Sequence, residues 1–100
     1  MSDRFRPKQV YAIRHPESLR VVYIGVAEFP EVRLNQHRKS IKNSELSRWI
    51  NDVEARIGLV NLRILTKPLV HFLAFNVERN LIQRFFGKDK FLFNKRVYHG

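Results

Sequence analysis

Cysteine is absent from the 100-residue sequence, so neither disulfides nor a thiolate zinc site can hold the fold together. No apolar run approaches the ~20 residues that span a bilayer, and the N-terminal stretch MSDRFRPK lacks the apolar core of a signal peptide. No Gly-rich phosphate loop occurs among the four glycines. These absences predict a soluble, cytoplasmic protein, and the length predicts one domain over residues 1–100.

Acidic residues are scarce relative to basic ones. Nineteen Lys and Arg against nine Asp and Glu give a formal net charge of +10, and after Ala55 nine basic residues accompany only Glu78 and Asp89. Such a field attracts polyanions, either nucleic acid or an acidic membrane surface. A solvated basic surface with no dedicated partner is the alternative, but for so small a chain we favour nucleic acid.

The hydrophobic pattern predicts an α+β domain. Residues Gln9–Arg14 and 19–26 are rich in β-branched and aromatic residues, which favours two strands joined by a hairpin loop with Tyr11 opposite Tyr23. Apolar periodicity then predicts helices over about 30–42, 44–58 and 69–86, the last stopped by Gly87, with a third strand around 60–64. The order ββααβα indicates a small three-stranded sheet covered by helices.

One carboxylate interrupts the apolar stripe of the last predicted helix. On the helical wheel, the neighbours of Glu78 are the core-facing residues Ala74, Phe75, Leu81, Ile82 and Phe85. Burying an unpaired carboxylate costs several kcal/mol, so a partner must compensate it. Either an arginine compensates the carboxylate in a structural ion pair, or Glu78 binds a metal or transfers protons at the floor of a cleft.

Two further pairs carry polar chemistry. Arg33 and His37 stand one turn apart on the first predicted helix; an arginine can bind phosphate and a histidine can move protons near neutral pH. Such a pair is also ordinary on a polar helix face. Tyr11 and Tyr23 can simply pack as rings, although a buried phenol needs a partner for its hydroxyl.

Taken in order, these residues resemble the GIY-YIG nuclease superfamily. The tripeptide YIG at 23–25 matches the second name-giving motif, and QVY at 9–11 keeps the tyrosine of the first motif without its opening glycine. Arg33 and His37 then follow at the spacing of the family pattern. The resemblance runs from residue 9 to residue 94 and implies a three-stranded antiparallel sheet flanked by helices.

The resemblance also implies a reaction, the hydrolysis of a DNA phosphodiester bond with one divalent cation, Mg²⁺ or Mn²⁺. Glu78 would be its protein ligand, since Mg²⁺ commonly takes one or two carboxylates plus waters and phosphate oxygens. Arg33 would offset charge on the phosphoryl oxygens in the transition state. Asn94, in a short terminal segment, would position the Glu78 region or a phosphate by hydrogen bonding.

The same resemblance assigns the attacking water to three side chains, Tyr11, Tyr23 and His37, which would orient or deprotonate it. A free phenol has a pKa of ~10, so a tyrosine base would need its pKa lowered by nearby positive charge. We expect Arg33 and a phosphate-bound cation to supply that charge. The sequence does not choose the base among the three.

Contacts to the DNA backbone are predicted from eight basic residues: Arg38, Lys39, Lys42, Arg84, Lys88, Lys90, Lys95 and Arg96. Phosphate contacts carry no sequence information, so a separate protein partner would supply specificity, and the chain would act as a monomer or as a transient dimer on DNA. By analogy, so small a member suits a phage or mobile-element product, such as a homing endonuclease. The alternatives are a non-catalytic basic nucleic-acid-binding module and a GIY-YIG fold kept as an inactive interaction subunit.

Overall fold

The computed structural model describes residues 6–40, 44–88 and 93. Its elements are β1 (Gln9–Arg14), β2 (Val21–Ala27), α1 (Pro30–Lys39), α2 (Glu45–Arg56), β3 (Asn61–Ile64) and α3 (His71–Lys88). The predicted α+β class and the order ββααβα are therefore confirmed. Within the described residues, no helix is both long enough and apolar enough to cross a bilayer.

The sheet has the order β2-β1-β3, and β1 pairs antiparallel with both neighbours. This central strand is covered on both faces. On one face, Tyr11 and Ile13 pack with Leu34 of α1 and with the apolar residues of α2. On the other face, Val10 joins a second cluster with α3. Alternation of side chains along the strand thus separates two layers of helices.

The predicted pairing of the hairpin is wrong by two residues. Tyr11 lies opposite Gly25, and Tyr23 lies opposite Ile13. Two features produce the shift: Arg14 pairs with Val21, one residue later than predicted, and a β-bulge between Ile13 and Arg14 adds the second residue. Because side chains alternate with a period of two, a shift of two residues leaves both tyrosines on one face of the sheet.

The two shorter helices begin where the sequence predicts. Pro30 occupies the first turn of α1, where its missing N–H costs nothing, and α1 ends at Lys39 rather than near residue 42. Ser44 caps α2 by accepting a hydrogen bond from the Ser47 amide at 3.0 Å.

The long helix α3 departs from the prediction at its end and in the width of its buried stripe. It continues through Gly87 to Lys88, since one glycine costs a helix only about 1 kcal/mol. Among its described side chains, Ala74, Glu78 and Ile82 form the buried line, and Leu81 packs against the same cluster. Phe75, predicted to face the core, is 40% exposed. The carboxylate of Glu78 is nevertheless in the middle of the buried line, as predicted.

Candidate active site

The two tyrosines share the face of the sheet that α1 covers. Their ring centroids are 6.2 Å apart, with the ring planes tilted by 46°. Tyr11 is buried, whereas Tyr23 on the edge strand is partly exposed. Between them on β2 lies Gly25, whose missing side chain leaves room for the Tyr11 phenol. The two hydroxyl-bearing rings therefore lie side by side at the edge of the sheet.

Helix α1 brings Arg33 and His37 to the same place. The His37 ring meets Tyr23 edge-on, with ring centroids 5.4 Å apart. Arg33 is exposed, donates from Nη1 to Gln36 Oε1 at 3.2 Å, and lies close enough to Tyr11 to oppose the rise of that residue's pKa. One helical turn separates Arg33 from His37, so a guanidinium and an imidazole border the two phenols.

Contacts with α2 hold α1 in this position. Only Pro30 and Leu34 of α1 are buried, so apolar packing alone anchors it weakly. Arg38 adds a two-pronged bridge to Glu54, with both N–O distances at 2.8 Å. The Asn51 side chain also donates to the Arg38 carbonyl at 3.0 Å. These bonds fix the helix that carries Arg33 and His37.

Glu78 approaches the tyrosines from α3. The residue is only 6% exposed, and its charge raises the pKa of both Tyr11 and Tyr23. The described residues contain no group of three His, Cys, Asp or Glu side chains that could bind a metal. The described part of the chain thus offers no set of side chains for a zinc site. A hydrated Mg²⁺ does fit, because one carboxylate with waters and phosphate oxygens suffices for it.

Burial sets the protonation of the rings. It raises the pKa of Tyr11 more than any other cause, Tyr23 and Glu78 raise it further, and Arg33 only partly opposes them. Burial and Glu78 likewise raise the pKa of Tyr23. Arg33 alone does not lower the pKa of either tyrosine below its ordinary value, because desolvation of the phenolate outweighs one guanidinium. That Arg33 and a phosphate-bound cation together would do so stays a prediction.

His37 has the opposite shift. Burial, and then the positive charge of Arg33, lower its pKa, so its imidazole is neutral at pH 7. The Nε2 atom is buried and makes no hydrogen bond to the residues that the structure describes. A neutral ring with an unpaired nitrogen beside two phenols can accept a proton.

The predicted phosphate-binding residues have different outcomes. Lys39 and Arg84 are exposed, as a backbone contact requires. Arg38 does not meet the prediction: Glu54 and Asn35 bind its guanidinium, which makes it a structural link between α1 and α2. Lys88 ends α3, and its side chain lies outside the described part. Four other residues of this prediction lie outside the described residues, namely Lys42, Lys90, Lys95 and Arg96. The predicted site residue Asn94 also lies outside them.

A groove beside Arg33 was not predicted from the sequence. It encloses about 450 Å³, and its lining includes Lys8, Phe29, Val32, Arg33 and Phe75. No local pattern in the sequence indicates this groove, because its lining comes from the end of β2, from α1 and from α3.

Compared with known proteins, the chain matches no family model, no curated protein and no solved structure. Any function assigned to it therefore depends on the geometry of its own residues. Four elements, β1, β2, α1 and α3, contribute to the arrangement described above: two phenols, a guanidinium, a neutral imidazole and a buried carboxylate.

Proposed function

We propose that this chain is a metal-dependent DNA endonuclease of the GIY-YIG type, which hydrolyses phosphodiester bonds. The observation that carries the proposal is the convergence of five side chains from distant parts of the sequence: Tyr11, Tyr23, Arg33, His37 and Glu78. A basic module that only binds nucleic acid gives no reason to bring two phenols within electrostatic reach of both a guanidinium and a buried carboxylate. An enzyme that acts on a phosphate does give a reason for this arrangement.

The charges of the site suit a phosphodiester. Arg33 is exposed and can bind a phosphate oxygen, where it offsets the charge that accumulates in the transition state. Glu78 is the residue that would hold Mg²⁺. When bound, this ion would polarise the scissile phosphate and stabilise the leaving oxygen. The net charge of +10 favours the encounter with DNA.

Proton transfer falls to His37 in this proposal. Its imidazole, whose pKa is lowered so that it is neutral at pH 7, would take a proton from the attacking water. Tyr11 and Tyr23, whose pKa values are raised, keep their protons and orient the water or the phosphate by donating hydrogen bonds. The contacts of Tyr23 with both other rings and the directions of the three pKa shifts support this division of roles.

Affinity for DNA would come from the exposed basic surface, including Lys39 and Arg84. Because contacts of this kind bind phosphates whatever the base sequence, a separate protein partner would choose the cleavage site. Cutting both strands of a duplex would need two active sites, which a transient dimer on DNA provides, or two successive nicks.

The test is incubation of supercoiled plasmid with the protein in Mg²⁺ or in EDTA, followed by gel analysis of nicked and linear products. We expect cleavage in Mg²⁺ and none in EDTA. A non-catalytic basic module would retard the plasmid on the gel in both buffers and leave it intact, and that result would contradict the proposal. Mapping the ends in a productive reaction identifies the bond that breaks.

A further inference from the structure

The groove beside Arg33 contains aromatic side chains that hydrolysis of a phosphodiester does not need. Phe29 at the start of α1 is 61% exposed, and Phe75 on α3 is 40% exposed. Val32, also exposed, adds to the lining. Single exposed aromatic residues are common on protein surfaces, but two rings from different elements that line one groove of about 450 Å³ suit a ligand with a flat apolar face.

The same groove is positively charged. Lys8 and Arg33 both line it. Glu28 also lies on the lining, but its carboxylate accepts a hydrogen bond from Arg6 Nη1 at 3.2 Å, which offsets its charge. The ligand that matches rings and cations together has a flat π-system attached to a phosphate.

We propose that this groove binds an unpaired nucleotide next to the phosphate held by Arg33, so that the substrate is single-stranded or frayed DNA. The inference rests on the proposed function, because it takes Arg33 as the phosphate-binding residue of the site. Phe29 and Phe75 contact the base, and Lys8 contacts a flanking phosphate. Bases inside an intact duplex stack on one another and offer no free face to these rings, whereas an unpaired base does.

Direct binding measurements test this without cleavage. Fluorescence anisotropy in EDTA compares three labelled ligands: an oligothymidylate of about eight nucleotides, within the range of single-strand site sizes, an abasic strand of equal length, and a hairpin duplex. The abasic strand has the same phosphate charge and no bases. The protein variants are Phe29→Ala and Phe75→Ala, with Phe72→Ala as the matched control, because Phe72 is on the same helix and 65% exposed but does not line the groove.

We expect the wild-type protein to bind the thymidine strand about tenfold more tightly than the abasic strand, as base–aromatic stacking predicts. Phe29→Ala and Phe75→Ala should each weaken binding of the thymidine strand about five- to tenfold and leave binding of the abasic strand unchanged. Phe72→Ala should bind all three ligands as the wild type does. Phe29→Leu and Phe75→Leu, which keep an apolar side chain, should show the same losses if the rings stack on bases.

Equal affinity for the thymidine and abasic strands would overturn the inference, and so would equal losses in Phe75→Ala and Phe72→Ala. Tight binding of polyglutamate that the ring variants abolish would instead assign the groove to an acidic protein partner. Thermal unfolding of each variant excludes loss of the fold as the cause. Because binding is measured in EDTA, a failure here is distinct from a failure of Mg²⁺-dependent cleavage in the plasmid assay.

Discussion

Gly25 lies directly across the sheet from Tyr11, and the Tyr11 phenol occupies the space that a side chain at Gly25 would need. A Cβ atom added to Gly25 would be 2.6 Å from both Cζ and the hydroxyl oxygen of Tyr11, and 2.8 Å from the Tyr23 ring. Real Cβ atoms essentially never approach other atoms so closely. The glycine of the YIG tripeptide is therefore required by the close approach of a ring, and it links the motif to the position of both phenols.

The Gly25→Ala substitution should move both tyrosine rings away from their present positions. We expect a loss of about 1–3 kcal/mol in the free energy of unfolding, typical of overpacking, together with a large fall in the nicking rate. Gly58→Ala is the matched control, since a Cβ there would meet nothing within 4 Å. Thermal melts and plasmid nicking of the two variants measure the difference. Equal effects in both would mean that the Tyr11 contact is unimportant.

Replacing Glu78 by glutamine keeps the shape of the side chain and removes its charge. We expect Mg²⁺-dependent cleavage to fall to the EDTA background, because an amide is a poor ligand for Mg²⁺. The melting temperature should stay near that of the wild type, since glutamine keeps the shape of the side chain and can still form hydrogen bonds. Glu31→Gln, an exposed carboxylate on α1, should cut as the wild type does. Full activity in Glu78→Gln would refute the metal-binding role.

The Arg33→Ala variant should separate catalysis from binding. In the wild type, the Arg33 guanidinium is expected to act chiefly on charge that develops in the transition state. In the variant, kcat should therefore fall by about 10²–10³-fold while the affinity for uncleaved DNA changes little. Arg33→Lys should recover only part of the rate, because an ammonium lacks the planar fork. Arg63→Ala, exposed on β3, serves as the control for loss of one positive charge. If rate and affinity fall together, Arg33 is only a binding residue.

The lowered pKa of His37 predicts how stability varies with pH. Near its ordinary pKa of ~6.5 the unfolded chain binds a proton that the folded chain resists, so stability rises with pH in this window. Above ~6.5 His37 is neutral in both states, so it does not reduce the free energy of unfolding. That free energy falls as the pH drops from ~6.5 toward the folded-state pKa of His37. Thermal melts between pH 5 and pH 7.5 should show this slope, and His37→Gln should reduce it. An unchanged slope in His37→Gln would exclude the residue as its source.

Local pattern was sufficient for the elements and for Glu78. β-Branched and aromatic residues located β1, Pro30 located the start of α1, and Ser44 located the cap of α2. The helical wheel placed Glu78 on a buried line that the structure also has. The local pattern missed the pairing of the hairpin, because neither the turn after Arg14 nor the β-bulge between Ile13 and Arg14 is visible in composition. It also overestimated the buried width of α3, since the neighbours of Phe75 are set by tertiary packing rather than by period.

Charged contacts between helices were the least predictable feature. Arg38 and Glu54 are far apart in sequence, and nothing in the local pattern distinguishes Arg38 from the exposed Lys39 beside it. The groove at Arg33 was equally hard to predict, because it forms where α1 and α3 approach the end of β2. Interactions of this kind need the coordinates of both elements, so a sequence can suggest the charge of a surface but not which cations remain free on it.

Neighbouring residues on α1 should therefore behave in opposite ways. Arg38→Ala removes the ion-pair partner of the Glu54 carboxylate, whose pKa the Arg38 hydrogen bond lowers in the wild type. The free energy of unfolding should fall by about 1–3 kcal/mol, less than the ~3–5 kcal/mol expected for a fully buried pair. It should leave DNA affinity nearly unchanged. Lys39→Ala should leave stability within about 0.5 kcal/mol but weaken DNA binding and reduce its salt dependence by about one charge. Chemical denaturation and anisotropy titrations over a range of salt concentrations measure both properties. If Arg38→Ala folds and shows the binding defect expected of Lys39→Ala, then Arg38 contacts DNA and this prediction is wrong.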